Sequence, residues 1–283
     1  MTALRQKMIE DIQLRGLSPR TQETYVSAVR RLAQHFNKPP DQLSEQELRG
    51  YFLYLKNEKR VAPSTYNQIL SALKFLYRKT LQKPWPVLGF AKPITEKKLP
   101  VVLSRAEVRR VLAAVRKPHY RVCMLTIYSC GLRLLEGVRL PVQAIDSERM
   151  VLHIRAGKGD KDRYVPLPET TLMHLRTFWQ SHRHPHRLFP GRDYWRNEPM
   201  NGSGVQKAFR AALKSSGVTK RAGIHTLHHS YATHPVEAGI HLKLIRQYPG
   251  HTSLQTTTIY VHMTPQIQRG AVETGNRLMT DLP

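Results

Sequence analysis

The sequence predicts a mainly α chain of two domains, the second of mixed α/β character with one small β-hairpin, and three observations lead there. Apolar residues recur at helical spacing over most of the chain. That periodicity stops between about residues 83 and 103, in a proline- and lysine-rich stretch. One segment, residues 149–168, has apolar, β-favouring runs on either side of a Gly-Lys-Gly-Asp turn. The expected organisation is therefore a helical domain over 1–82, a basic connector over 83–103 and a second domain over 104–283.

Taken in order, Ser18 before Pro19 makes an N-cap and first-turn pair. Tyr25, Val26, Val29, Leu32, Ala33 and Phe36 then follow at helical spacing, which predicts a helix over about 19–36. "SEQE" at 44–47 is a capping-box pattern opening a second helix through Leu55. In "PSTYNQILSALKFLYRKTL" a third helix carries Tyr66, Ile69, Leu70, Leu73 and Leu76 on one stripe. "KPWPVLGFAKPITEKKLP" has the composition of an extended basic connector. "SRAE" at 104–107 is another capping box, and Val108, Val111, Leu112 and Val115 begin the second domain on a helix. The hairpin "RMVLHIRAGKGDKDRYVPLP" puts Lys158 near its tip. "GSGVQKAFRAALKSSG" reads as a helix ending at Gly217, and "TPQIQRGAVETGNRLM" as a C-terminal helix.

Composition narrows the function. Lys and Arg total 45 against 20 Asp and Glu, a formal net charge of +25. Such an excess repels itself in a compact fold and implies a polyanionic partner, of which nucleic acid is the commonest. The basic residues are spread along the chain, as expected for a basic surface on folded domains. Cys123 and Cys130 lie in an apolar helical pattern and read as reduced core residues. No stretch approaches eighteen apolar residues, and the N-terminus lacks a signal-peptide core. A cytoplasmic location is the expectation.

Several residues could carry chemistry. In "SCGLRLLEGV", Arg133 follows a helix-breaking glycine and has Glu136 three residues on; alone it reads as a surface ion pair. Lys158 alone reads as a solvated turn lysine, His251 after "YPG" as a capping residue, and Tyr260 in "TTTIYVH" as a half-buried core residue. "GIHTLHHSYATH" places His225, His228 and His229 on one helical face, which suits a metal, a proton transfer or a phosphate. Zinc is the weaker reading, because the segment between His225 and His229 has no glutamate and the cysteines are distant. "HRHPHR" at 182–187 reads as solvated surface.

The joint order GLRLLE, GKGDKDR, HTLHH, PGH and TTTIYVH resembles the tyrosine recombinase, or phage integrase, family. "LSPRTQETYVSAVRRLAQH", "VAPSTYNQILSALKFLYR" and "KKLPVVLSRAEVRRVL" are similar to integron integrases and their Xer-type relatives. The long helical insertion of integron integrases has no counterpart in "RTFWQSHRHPHRLFPGRDYWRN". The resemblance implies a helical domain that clamps duplex DNA with a catalytic domain, acting as a dimer or tetramer on paired sites without metal or cofactor. It further implies that Arg133 and His251 bind the scissile phosphate, Lys158 protonates the leaving oxygen, His225 assists as a base and Tyr260 is the nucleophile. His228 stands where the family carries its second phosphate-clamping arginine, and Pro235 and Pro249 are further departures. A DNA-binding remnant that no longer cuts is the rival reading.

Overall fold

Capping chemistry sets the helix starts. In the computed structural model, which describes residues 2–84, 100–155 and 162–237 apart from the side chains of Tyr194 and Val236, Ser18 Oγ accepts the Thr21 N–H at 3.2 Å and α2 runs Pro19–Phe36. Both capping boxes form. Ser44 and Glu47 exchange hydrogen bonds of 3.2 and 2.6 Å at the head of α3 (Glu45–Leu53). Ser104 and Glu107 do the same at 3.2 and 2.7 Å at the head of α5 (Arg105–Ala113). α4 spans Pro63–Phe75. α3 and α4 each continue in a wider turn, Tyr54–Glu58 and Leu76–Thr80. α1 (Ala3–Leu14), which the spacing does not announce, is capped by Thr2 and buries just Met8 and Ile12.

The chain divides into two compact units, Met1–Lys98 and Leu99–Pro283. The first has a core of Met8, Ile12, Leu32, Leu48, Leu73 and Leu76, and the Tyr77 hydroxyl donates to the Pro40 carbonyl at 2.6 Å.

The second unit adds α6 (Pro118–Ser129), α7 (Leu134–Val138), α8 (Glu169–Gln180), α9 (Gly202–Ser215) and α10 (His225–Glu237). Its sheet is three short antiparallel strands in the order β1 (Ile145–Asp146), β2 (Val151–Ile154), β3 (Arg163–Pro166). Leu152 pairs with Val165 on the buried face. His153 pairs with Tyr164 on the other, their rings stacked at 4.6 Å. α6 is the spine of this unit and packs against α8 and α10. Cys123 and Cys130 are free thiols in the core, with burial pushing both pKa values up.

The reading of residues 182–187 as solvated surface holds for the exposed Arg183, Pro185 and His186 and is corrected at His184. His184 is buried, and its Nδ1 accepts the N–H groups of His186 at 3.1 Å and Arg187 at 3.0 Å, so the ring is the centre of a turn. Most of the connector, the hairpin tip at 156–161, and residues 238–283 with the expected C-terminal helix and Pro249 lie outside the described residues.

Candidate active site

The site begins where α6 ends. Gly131 has φ +62°, and a β-carbon there would lie 2.3 Å from Cε1 of Tyr231 on α10, so both the backbone and the close approach require glycine. Leu132 and Leu134, both buried, fix the residue between them. Arg133 is thus held in an extended conformation at the head of α7.

Glu136 completes this turn by reaching back to it. Its Oε2 accepts the Arg133 backbone N–H at 2.8 Å, and its Oε1 accepts Arg133 Nη1 at 3.0 Å. The same carboxylate takes a two-pronged contact from Arg163 on β3, Nη1 to Oε1 at 3.0 Å and Nη2 to Oε2 at 2.7 Å. The exposures of these side chains, 22% for Arg133, 11% for Glu136 and 10% for Arg163, set this apart from an ordinary surface pair. Burial alone would raise the Glu136 pKa, but the hydrogen bonds and charges of Arg163 and Arg133 outweigh it and hold the carboxyl below its ordinary range.

α10 supplies the histidines, and its burial pattern separates three residues that share a face. His225 opens the helix and is exposed, His228 is buried and His229 is half-buried. His228 Nδ1 lies 2.9 Å from the Gly131 carbonyl oxygen. A carbonyl can only accept, so the ring donates Nδ1–H, and Nε2 carries a proton only when the imidazole is cationic. His228 and Tyr231 therefore clasp Gly131, one on its carbonyl and one on its α-carbon. His229 is held below the ordinary histidine pKa, chiefly by burial and secondly by the charge of His225.

Further along α10, Nε2 of the buried His234 lies 2.9 Å from the Leu103 carbonyl, and its Nδ1 lies 2.7 Å from the Tyr128 hydroxyl. Ser230 Oγ accepts the Leu103 N–H at 3.0 Å. The segment entering α5 is thus tied to α10 at two points.

The structure brings Arg133 and His228 to one turn and sets His225 at the head of the same helix. Lys158, His251 and Tyr260 lie outside the described residues. Sequence reasoning missed Arg163, although a signal existed: with Val165 inward, strand alternation turns Arg163 to the same buried face, an unusual place for a cation. It also missed His234, for which helical spacing from His228 offers no cue. Among the described residues no group of three or more His, Cys, Asp or Glu is placed to hold a metal ion, and no helix is long and apolar enough to cross a membrane.

This fold is that of the tyrosine recombinases. The chain is similar to the XerH site-specific recombinase in its post-cleavage complex with difH, with TM-score 0.72 and 20% identity over 91% of this chain and 80% of that one. It is also similar to lambda integrase in a tetramer on a Holliday junction, with TM-score 0.73 and 16% identity over 91% and 76%. Residues 101–266 match the phage integrase family, and residues 4–87 match the phage integrase N-terminal SAM-like domain. A Sinorhizobium fredii integrase/recombinase homologue is 39% identical over 93% of this chain and 85% of its own length. Tyrosine recombinase XerC of Lactobacillus delbrueckii is 30% identical over 89% and 91%. The chain belongs to the phage integrase family of site-specific tyrosine recombinases.

Proposed function

We propose that the protein cuts and rejoins duplex DNA at specific sites through a covalent 3′-phosphotyrosyl intermediate on Tyr260. The observation that carries this reading is Arg133, fixed by the half-buried Glu136 carboxylate at the turn that His228 of α10 also holds. A phosphodiester gains charge in its transition state, so cationic donors fixed in place before reaction stabilise that state more than the ground state. In this scheme the Tyr260 oxygen attacks phosphorus and the bond to the 5′ oxygen breaks. Lys158 gives that oxygen its proton, and His225 takes the phenolic one. Arg133, His251 and His228 bind the non-bridging oxygens. The bond energy stays in the phosphotyrosine, so religation needs no nucleotide cofactor.

The XerH structures on difH and the lambda integrase dimer and tetramer on DNA support assembly of two or four copies of this chain on paired duplex sites. The +25 charge fits such a partner. Residues 83–103 join the DNA-clamping domain to the catalytic domain, and the reaction takes place in the cytoplasm. A nicked suicide substrate tests the reading: the parent is expected to give a covalent complex on denaturing electrophoresis, and Tyr260→Phe none. A parent that binds DNA without forming the complex favours the second reading, a DNA-binding remnant, which the histidine at position 228 suggests.

A further inference from the structure

We propose that Arg163 is a positioning residue for strand cleavage: it shares the Glu136 carboxylate with Arg133 and so keeps the cluster net positive and Arg133 aimed at the phosphate. The proposal rests on the functional reading above. Its basis is the arithmetic of one half-buried carboxylate between two guanidinium groups.

Each Glu136 oxygen accepts twice, once from each arginine. Oε1 takes Arg133 Nη1 and Arg163 Nη1, both at 3.0 Å, and Oε2 takes the Arg133 backbone N–H at 2.8 Å and Arg163 Nη2 at 2.7 Å. Among the described residues, two positive charges against one negative leave the cluster with one net positive charge. Without Arg163, the same half-buried carboxylate would keep Arg133 as its one ion-pair partner among the described residues, and that pair would be neutral toward an approaching phosphate. The freed carboxylate would also pull the Arg133 guanidinium inward, since a buried anion draws on whichever donor remains.

Arg163 does not replace the family's second clamping arginine. Both of its terminal nitrogens donate to Glu136, and its side chain is 10% exposed on the buried face of β3, so the action assigned to it on phosphate runs through Glu136 and Arg133. Its place in the chain adds a second consequence. Arg163 opens β3 five residues after Lys158, so its contact with Glu136 ties the base of the lysine hairpin to the turn that carries Arg133.

The test is single-turnover cleavage of a nicked suicide duplex at saturating protein, with affinity for the same duplex and thermal melting measured beside it. Arg163→Gln should slow covalent-complex formation about ten- to a hundredfold, the usual cost of removing a group that orients a reacting one, with duplex affinity nearly unchanged. Arg163→Lys should fall between the two, because it keeps the charge and loses the fork. Glu136→Gln combined with Arg163→Gln should cleave faster than Arg163→Gln alone, because removing the carboxylate returns the charge to Arg133. A purely structural Arg163 would make the double variant equal to or worse than the single, and that result overturns the proposal. So does Arg163→Gln cleaving at the parent rate. Should Arg163→Gln fail to melt cooperatively, Arg163→Lys decides: slower cleavage at equal affinity supports positioning, and the parent rate refutes it. A parent with no Tyr260-dependent complex refutes the functional reading itself, and the assignment of Arg163 with it.

Discussion

The turn at 131–136 and the first turns of α10 meet at Gly131, yet in the proposed mechanism they would offer a phosphate two different kinds of positive charge. At the turn the charge is permanent, because it sits on guanidinium groups, and the half-buried Glu136 carboxylate fixes the directions of Arg133 and Arg163. On α10 the charge is conditional. His225, His228 and His229 carry it as pH allows, and burial works against it at His229. The difference teaches that one half of this site is set by geometry and the other by protonation.

Removing the permanent half should have the largest effect. Arg133→Ala is expected to cut the single-turnover cleavage rate by at least about a hundredfold, the usual loss for one preorganised donor to a transition-state oxygen. His225→Ala should cost less at neutral pH and change the shape of the pH profile. If Arg133→Ala were the milder of the two, the comparison would be reversed.

Gly131→Ala attacks the junction of the two halves. The added methyl meets the Tyr231 ring, and a non-glycine residue at φ +62° is strained on its own account. The two together should lower stability by about 1–3 kcal/mol or more, seen as a lower melting temperature. An unchanged melt would mean that α10 does not clasp the turn.

How far each half was legible in the sequence follows the same division. Spacing and caps located α2, α3, α4, α5 and α9, because those helices show an apolar stripe and conventional ends. α1 escaped because its inward face is two residues wide. Arg133, His225 and His228 were singled out through motif order, which records what the resemblance implies must reach the phosphate. Arg163, His184 and His234 were not, since their roles depend on what lies across the fold: a carboxylate from another element, two N–H groups of a turn, and the Leu103 carbonyl with the Tyr128 hydroxyl.

Acid should separate activity from stability. Burial holds His229 and His234 below the ordinary histidine pKa; at His234 Arg105 adds to this, while Glu237 and the Leu103 carbonyl oppose it. The unfolded chain therefore binds these protons more readily than the folded one. Stability is complete above about pH 6.5 and declines as pH falls through the lowered values. Over the same interval, protonation of His228 should favour cleavage by adding an Nε2–H donor. Melting temperature and initial cleavage rate, followed together from neutral pH to about pH 5.5, should thus move in opposite directions at first. Parallel decline from neutral pH would show that His228 does not bind phosphate as a cation. His228→Arg should be faster than the parent at neutral pH and lack the rising limb, at some expense of stability because a longer side chain enters a buried site.

The smallest effect belongs to the far end of α10. The helix runs through Pro235 to Glu237, and proline has no N–H to offer the carbonyl one turn back, at Tyr231. In a helix interior this costs roughly 3 kcal/mol, and less near an end. Pro235→Leu should restore that donor and raise the melting temperature by about 2–4 °C for each kcal/mol recovered. The groups proposed to face the phosphate lie at the opposite end, and the intervening turn is pinned by His228 on Gly131, Ser230 on Leu103, and His234 on Leu103 and Tyr128. A gain made beyond those pins should not reach the imidazoles, so the pH profile of cleavage should keep its shape and midpoint. A shifted midpoint would mean that the helix transmits strain along its length, and the conditional half of the site would then be set by geometry as well.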